Sequence, residues 1–186
     1  IKQRTNKQYE YPTQNKFKEK PFFSTYDWPS KLIEMGIKKV LPLIPDNRAR
    51  LNVIEICAEH GFELVSAIHP TAQLLGKNII EPGVWINTKA TIGYKTEIES
   101  GVLINTQSIV EHHGILETCC QLDPAVVTGG NVAVGQCAHI HMGALISNRI
   151  NIGANAVIGA GSLVLENVEP NFKVLGIPAK NYHERK

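Results

Sequence analysis

Two adjacent histidines, His112 and His113, close the stretch Ile104-Asn105-Thr106-Gln107-Ser108-Ile109-Val110-Glu111-His112-His113. A neutral imidazole at a protein surface is a general base near neutral pH; the plainer alternative is two solvated side chains on an edge. A second pair, His139 and His141, flanks Ile140. Imidazoles so placed could ligate a metal, but zinc takes three or four protein ligands, and His112 falls on a different side, so no metal is expected. Near the end, Gly176-Ile177-Pro178-Ala179-Lys180 reads as a tight bend with a cation beside it, which could receive a phosphate. Pro45-Asp46-Asn47 lies between an apolar run and a helical one. A nucleotide would contact that loop at the carboxyl end of a strand, unless Asp46 only caps the helix.

The elements that must position these residues follow from one period. From Ile68 every sixth residue is aliphatic as far as Val164 (sixteen of seventeen positions), with Thr128 the exception. Four residues after each lies a second column of mostly small or β-branched side chains, from Ala72 to Val168. Neither a helix nor a free strand repeats every six residues. A three-sided solenoid does, with each hexad forming a side, the aliphatic residue pointing inward and the small one fitting at the corner. Three hexads make a coil of 18 residues, and coils satisfy their backbone groups by stacking. On this count Gly130, 18 residues after His112, stacks beside it.

Before the solenoid, residues 21–67 read as a partial α/β unit. Ser30 starts a short helix through Met35, Ile37–Ile44 forms a strand, and Asp46 caps a helix Asn47–His60 closed by Gly61. Phe62–Ile68 is then a second, parallel strand. No GxGxxG turn occurs, as an intact mononucleotide-binding half would show. Residues 1–20 carry six Lys/Arg against two Asp/Glu and read as a flexible polar leader. The sequence begins with Ile, which suggests a piece of a longer chain. Residues 169–186 form a C-terminal segment with a last strand at Phe172–Leu175.

Net charge is +2, and beyond the leader 13 basic and 15 acidic residues give −2, which offers no case for nucleic-acid binding. No apolar run approaches a membrane span. The four cysteines (Cys57, Cys119, Cys120 and Cys137) have no metal-finger spacing. They read as reduced core or corner residues of a cytoplasmic protein.

The hexads, the Ile104–His112 stretch and the Gly-x-Pro-Ala-Lys ending together resemble the hexapeptide-repeat acyltransferases. The similarity is to their sugar acetyltransferase branch, which includes the sialic acid O-acetyltransferase and the bacillosamine-pathway N-acetyltransferase. It runs from about Leu32 to Lys180. The resemblance implies a mainly β fold, a left-handed parallel β-helix assembled as a homotrimer, with acetyl-CoA in the groove between adjacent prisms. It implies transfer of the acetyl group to a nucleotide-linked amino sugar, best guessed as a UDP- or dTDP-linked 4-amino-4,6-dideoxy sugar, or to a sugar hydroxyl. His112 would be the general base, and Gly130 would offer its backbone N–H to the thioester oxygen. Met142 and Ala160 would line the pantetheine arm, and Lys180 would sit near the CoA phosphates. Asn105 would lie near the sugar, with His113 and Asp46 as further substrate contacts. Three features depart from the branch, the missing GxGxxG turn among them. Its histidine is commonly followed by a carboxylate, here His113, and a second histidine nine residues downstream is here Gln121. Carbonic anhydrases built on the same helix bind zinc between subunits, but have no use for the Pro-Ala-Lys bend. A catalytically idle scaffold is the remaining alternative.

Overall fold

The computed structural model describes residues 27–182; the leader expected over residues 1–20 lies outside them. The chain divides between Ile37 and Lys38 into two compact units. In the first, helix α1 spans Trp28–Glu34, with Asp27 at its N-cap and Pro29 in its first turn. Proline is tolerated there because the first-turn N–H groups have no helical acceptor. The helix therefore starts before Ser30, the expected cap. Gly36, at φ 72°, ends it.

The second unit opens with β1 (Lys39–Val40), α2 (Asn47–Glu59) and β2 (Glu63–Leu64), and β1 and β2 pair in parallel. The Asp46 carboxylate accepts the Ala49 N–H at 2.7 Å. Both strands are shorter than expected. Pro42 and Pro45 deny the ladder their N–H groups beyond Leu41, and after Leu64 the chain leaves this sheet to enter the solenoid as β3 (Ala67–Ile68).

From β3 onward the strands are two residues long and recur every six, through β19 (Leu163–Val164). They form three parallel faces. One has six strands, β4 (Gln73–Leu74) to β19; one has five, β5 (Ile79–Ile80) to β17 (Asn151–Ile152); one has eight, starting at β3. Partners are 18 residues apart, as in Ile109↔Val127 and Gln121↔His139. The eight-stranded face ends in β20 (Lys173–Gly176) and β21 (Ala179–Asn181), an antiparallel hairpin across the Pro-Ala-Lys bend.

The inward column is buried from Ile86 to Val164, Thr128 included, while Ile68 and Leu74 in the first coil are partly exposed. The second column is also buried from Val84 onward, with Val84, Ala90, Thr96 and Ser108 at 0 % exposure. The residue just before each of these turns the corner. At every sixth position from Lys77 to Gly161 φ is positive, whether the residue is Gly, Lys, Gln, His, Cys, Ala, Asn or Arg. The left-handed conformation costs a non-glycine residue about 1–2 kcal/mol; stacked coils repay that with a continuous ladder of backbone hydrogen bonds.

Helix α2 is fastened to one column of these corners. Arg50, fully buried, donates from Nε to Gly101 O at 2.7 Å and from Nη2 to Cys119 O at 2.8 Å and Asn47 Oδ1 at 2.7 Å. Asn47 Nδ2 in turn donates to Cys137 O at 3.1 Å. Gly101, Cys119 and Cys137 are successive 18-residue repeats, and they are small because α2 lies on them. A Cβ on Gly101 would meet the Cys119 sulfur at 2.7 Å. All four cysteines are free and buried.

Candidate active site

His112 and His113 sit on the edge between the six- and five-stranded faces, after β10 (Ile109–Val110). His113 is one of the left-handed corner residues, at φ 55°. Its N–H donates to Tyr94 O at 2.9 Å, one coil back. Two glycines let the edge close around His112. A Cβ on Gly93 would lie 2.6 Å from His112 N, and one on Gly130 would lie 2.6 Å from His112 Nε2. The imidazole thus lies flat against the bare backbone of Gly130, in the position the 18-residue count assigns. A Cβ on Gly129 would collide with Asn148.

His112 Nδ1 lies 3.0 Å from His113 Nδ1, with the two rings at 86°. His112 Nε2 has no protein partner among the described residues. The Tyr94 ring meets His113 edge-on at 6.0 Å. A hollow of about 490 Å³ beyond His113 is lined by Lys77, Lys95 and Glu97. The arrangement is an exposed imidazole with one nitrogen held and the other open.

The donor expected at Gly130 is not open. Its N–H is given to Asn148 Oδ1 at 2.9 Å, so it serves a thioester oxygen only after Asn148 moves. The side chain one coil further on had no signal in the sequence beyond that 18-residue spacing.

The other expected site residues lie elsewhere in the chain. Asn105, Met142 and Ala160 occupy the edge between the eight- and six-stranded faces, one edge away from His112. Met142 is 59 % exposed, and its carbonyl accepts the Gly161 N–H, so the Met142–Ala160 corners do stack. Asn105 Oδ1 accepts from Asn87 Nδ2 at 3.2 Å. It lines a cavity of about 300 Å³ with Leu43, Pro45, Trp85 and Gln121. Asp46 lies beside a separate hollow with Arg48 and His139, one oxygen engaged as the cap. Lys180 is in the terminal hairpin. One chain therefore brings together His112, His113 and Gly130 and no other expected site residue.

His139 and His141 are joined by a residue that sequence reading passed over. Asp123 Oδ2 lies 3.0 Å from His139 Nε2 and 3.0 Å from His141 Nδ1, and Asp123 Oδ1 accepts from Gln121 Nε2 at 2.8 Å. Asp123 stands one coil before His141, so the 18-residue spacing was the available signal. The three potential ligand atoms lie within 4.8 Å of one another, so the third group is a carboxylate of the same chain. Burial alone would raise the Asp123 carboxyl, but the Gln121 hydrogen bond and the two imidazoles outweigh it and hold it below its usual range. Burial lowers His139, against the pull of Asp123.

No family model and no curated protein sequence matches the chain; solved structures do. A histidine-substituted form of the perosamine N-acetyltransferase of Caulobacter crescentus, determined with CoA and GDP-perosamine, is 32 % identical. The match covers 85 % of this chain and 75 % of that one at a TM-score of 0.82. The acetyltransferase domain of PglB from Neisseria gonorrhoeae, determined with acetyl coenzyme A, is 28 % identical, over 75 % of this chain and 68 % of that one, at 0.72. The three-sided parallel β-helix is one that acetyltransferases solved with CoA or acetyl coenzyme A share. The chain belongs to the hexapeptide-repeat acetyltransferases, among the sugar N-acetyltransferases. Among the described residues no helix is long and apolar enough to cross a membrane.

Proposed function

We propose that this chain transfers the acetyl group of acetyl-CoA to the amine of a nucleotide-linked amino sugar, with His112 as general base. The observation that carries the reading is the His112 imidazole, laid on Gly130 with Nδ1 held and Nε2 open. The similarity to enzymes solved with CoA, and with GDP-perosamine in one case, supplies the substrate class. His112 Nε2 takes the proton of the amine as its nitrogen attacks the thioester carbon. The C–N bond forms, the C–S bond breaks, and the proton passes to the departing thiolate. Negative charge gathers on the thioester oxygen, where a backbone N–H is worth most. Gly130 supplies it once the acyl-CoA displaces the Asn148 side chain.

The reading also requires more than one copy. Met142 and Ala160 lie on a different edge from His112, so a groove lined by both edges needs two prisms side by side. A homotrimer with three such grooves meets that need, with Lys180 reaching the CoA phosphates, and Asn105 and Asp46 toward the sugar nucleotide.

The test is CoA release with GDP-, UDP- and dTDP-linked 4-amino sugars, run beside His112→Ala and a measurement of mass in solution. Turnover of one amino sugar, lost in the variant while the trimer persists, is the expected result. Turnover of a hydroxyl sugar alone would move the reading to O-acetylation. CoA that fails to bind would leave a scaffold.

A further inference from the structure

We infer that His113 is a positioning residue for the reaction. Its Nδ1 accepts the Nδ1–H of His112 and so holds His112 in the tautomer whose lone pair lies on Nε2. The inference rests on His112 as the base, and its test is chosen to read the two separately.

The 3.0 Å separation of the two Nδ1 atoms requires one nitrogen to donate and the other to accept. If His113 donated, His112 would carry its proton on Nε2 and have no lone pair at the open nitrogen. Protonation during turnover then decides the direction. When His112 Nε2 takes the amine proton, His112 becomes an imidazolium with N–H groups at both nitrogens. An Nδ1–H already pointing at a lone pair on His113 keeps its hydrogen bond through that step. An arrangement with His113 donating would set N–H against N–H. Only one of the two directions survives the catalytic cycle, and the proton on His112 Nδ1 never leaves.

Lys95 and Lys77 occupy the same corner one and two coils back and line the hollow that His113 faces, together with Glu97. Tyr94 packs against the His113 ring edge-on, and the corner backbone is pinned to Tyr94 O at 2.9 Å. His113 is thus fixed in place. Orienting an imidazole is commonly a carboxylate's task; here a ring nitrogen does it, and the position tolerates the left-handed corner.

That corner makes clean substitutions available. Gly, Asn and Asp all accept positive φ, so His113→Gly, His113→Asn and His113→Asp leave the backbone in place. The experiment is nitrogen NMR of histidine-labelled protein without substrate, which reports which ring nitrogen of His112 carries the proton, assigned with His112→Ala. In the wild type His112 is protonated at Nδ1 with Nε2 bare. His113→Gly shifts the population toward the Nε2–H form, while His113→Asp and His113→Asn, which keep an acceptor oxygen, hold the Nδ1–H form. With an amino sugar that the wild type acetylates, kcat of His113→Gly drops by about 10–100-fold, the range for losing an orienting partner. The Asp and Asn variants recover most of it with KM little changed. A His112 already protonated at Nε2 in the wild type, or a tautomer unmoved by His113→Gly, overturns the inference even if His112→Ala abolishes turnover. Conversely, if the tautomer behaves as described and His112→Ala keeps full activity, the pair is real but His112 is not the base.

Discussion

The molecule carries two histidine pairs on one scaffold, and the scaffold treats them oppositely. His139 and His141 each spend a nitrogen on the same Asp123 oxygen at 3.0 Å, half-buried, with Gln121 completing the carboxylate's bonds. His112 and His113 spend one nitrogen each on the other, exposed, with no anion in the arrangement. In the first pair the bonds close on themselves, and a proton added to either ring is felt by a shared carboxylate. In the second, His112 keeps Nε2 open over a glycine backbone. The same residue type is therefore a structural clasp in one place and, on the proposed reading, a base in the other. What separates them is whether a carboxylate one coil away is in reach.

The largest effect that would break this comparison is on turnover. His112→Ala is expected to lower kcat by about 10²–10⁴-fold, the usual contribution of a positioned base, with thermal unfolding unchanged. His139→Ala is expected to leave kcat within a few-fold. Steady-state CoA release checks both, and equal losses at the two pairs would sink the distinction. Gly130→Ala should come next. Its φ is not in the left-handed range, so the backbone accepts alanine, but the added Cβ would lie 2.6 Å from His112 Nε2 and must push the ring aside. A loss of about 100-fold is expected, since misplacing a reacting group by an ångström costs that much.

The fold was legible because its signal was long: an uninterrupted period of six leaves a three-sided stack as its explanation. Gly130 beside His112 came from the same arithmetic. Other features were hidden for identifiable reasons. The corner conformation falls on Lys, Gln, Cys and Arg as readily as on Gly, so no residue type marks it. Arg50 sits in a helix whose sequence gives no hint that it reaches carbonyls at Gly101 and Cys119. Asp123 was readable in principle, one coil from His141, but attention to neighbouring histidines passed over carboxylates a coil away. Asn148 on the Gly130 N–H needed side-chain geometry. The edges that hold Met142 and His112 are set by residue number modulo 18, which the pairing of Met142 with Ala160 alone did not test.

A smaller effect probes the clasp through pH. His139 is lowered by burial, so the unfolded chain binds a proton there before the folded chain does. Stability is then lost as pH falls below about 6.5, the ordinary histidine value, toward the lowered folded one. Asp123 is also lowered in the fold, and the same sign adds a second loss below its ordinary carboxylate range. Urea unfolding between pH 7 and 5 should show a wild-type decline that His139→Gln flattens. An identical slope in that variant would place the acid sensitivity elsewhere.

The smallest effect lies beneath the open pair. The inner residues behind the clasp are Leu122 and Ile140, aliphatic and fully buried. The inner residue one coil from the His112 edge, paired with Val110, is Thr128, the one break in the aliphatic column. Its hydroxyl is buried without a hydrogen-bond partner. Burying an unpaired hydroxyl costs about 1–3 kcal/mol in proteins, and valine has nearly the same shape. Thr128→Val should therefore stabilise the chain by about 1 kcal/mol, a rise of about 3 °C in Tm for a protein of this size. The backbone of Thr128 leads directly into Gly129 and Gly130, so this substitution asks whether the polar atom serves the site or only weakens the core. A higher Tm with unchanged kcat marks the hydroxyl as a defect of packing. A higher Tm with reduced kcat means that the catalytic edge needs a looser core beneath it than the clasp does, and that the two pairs differ in their support as well as in their partners.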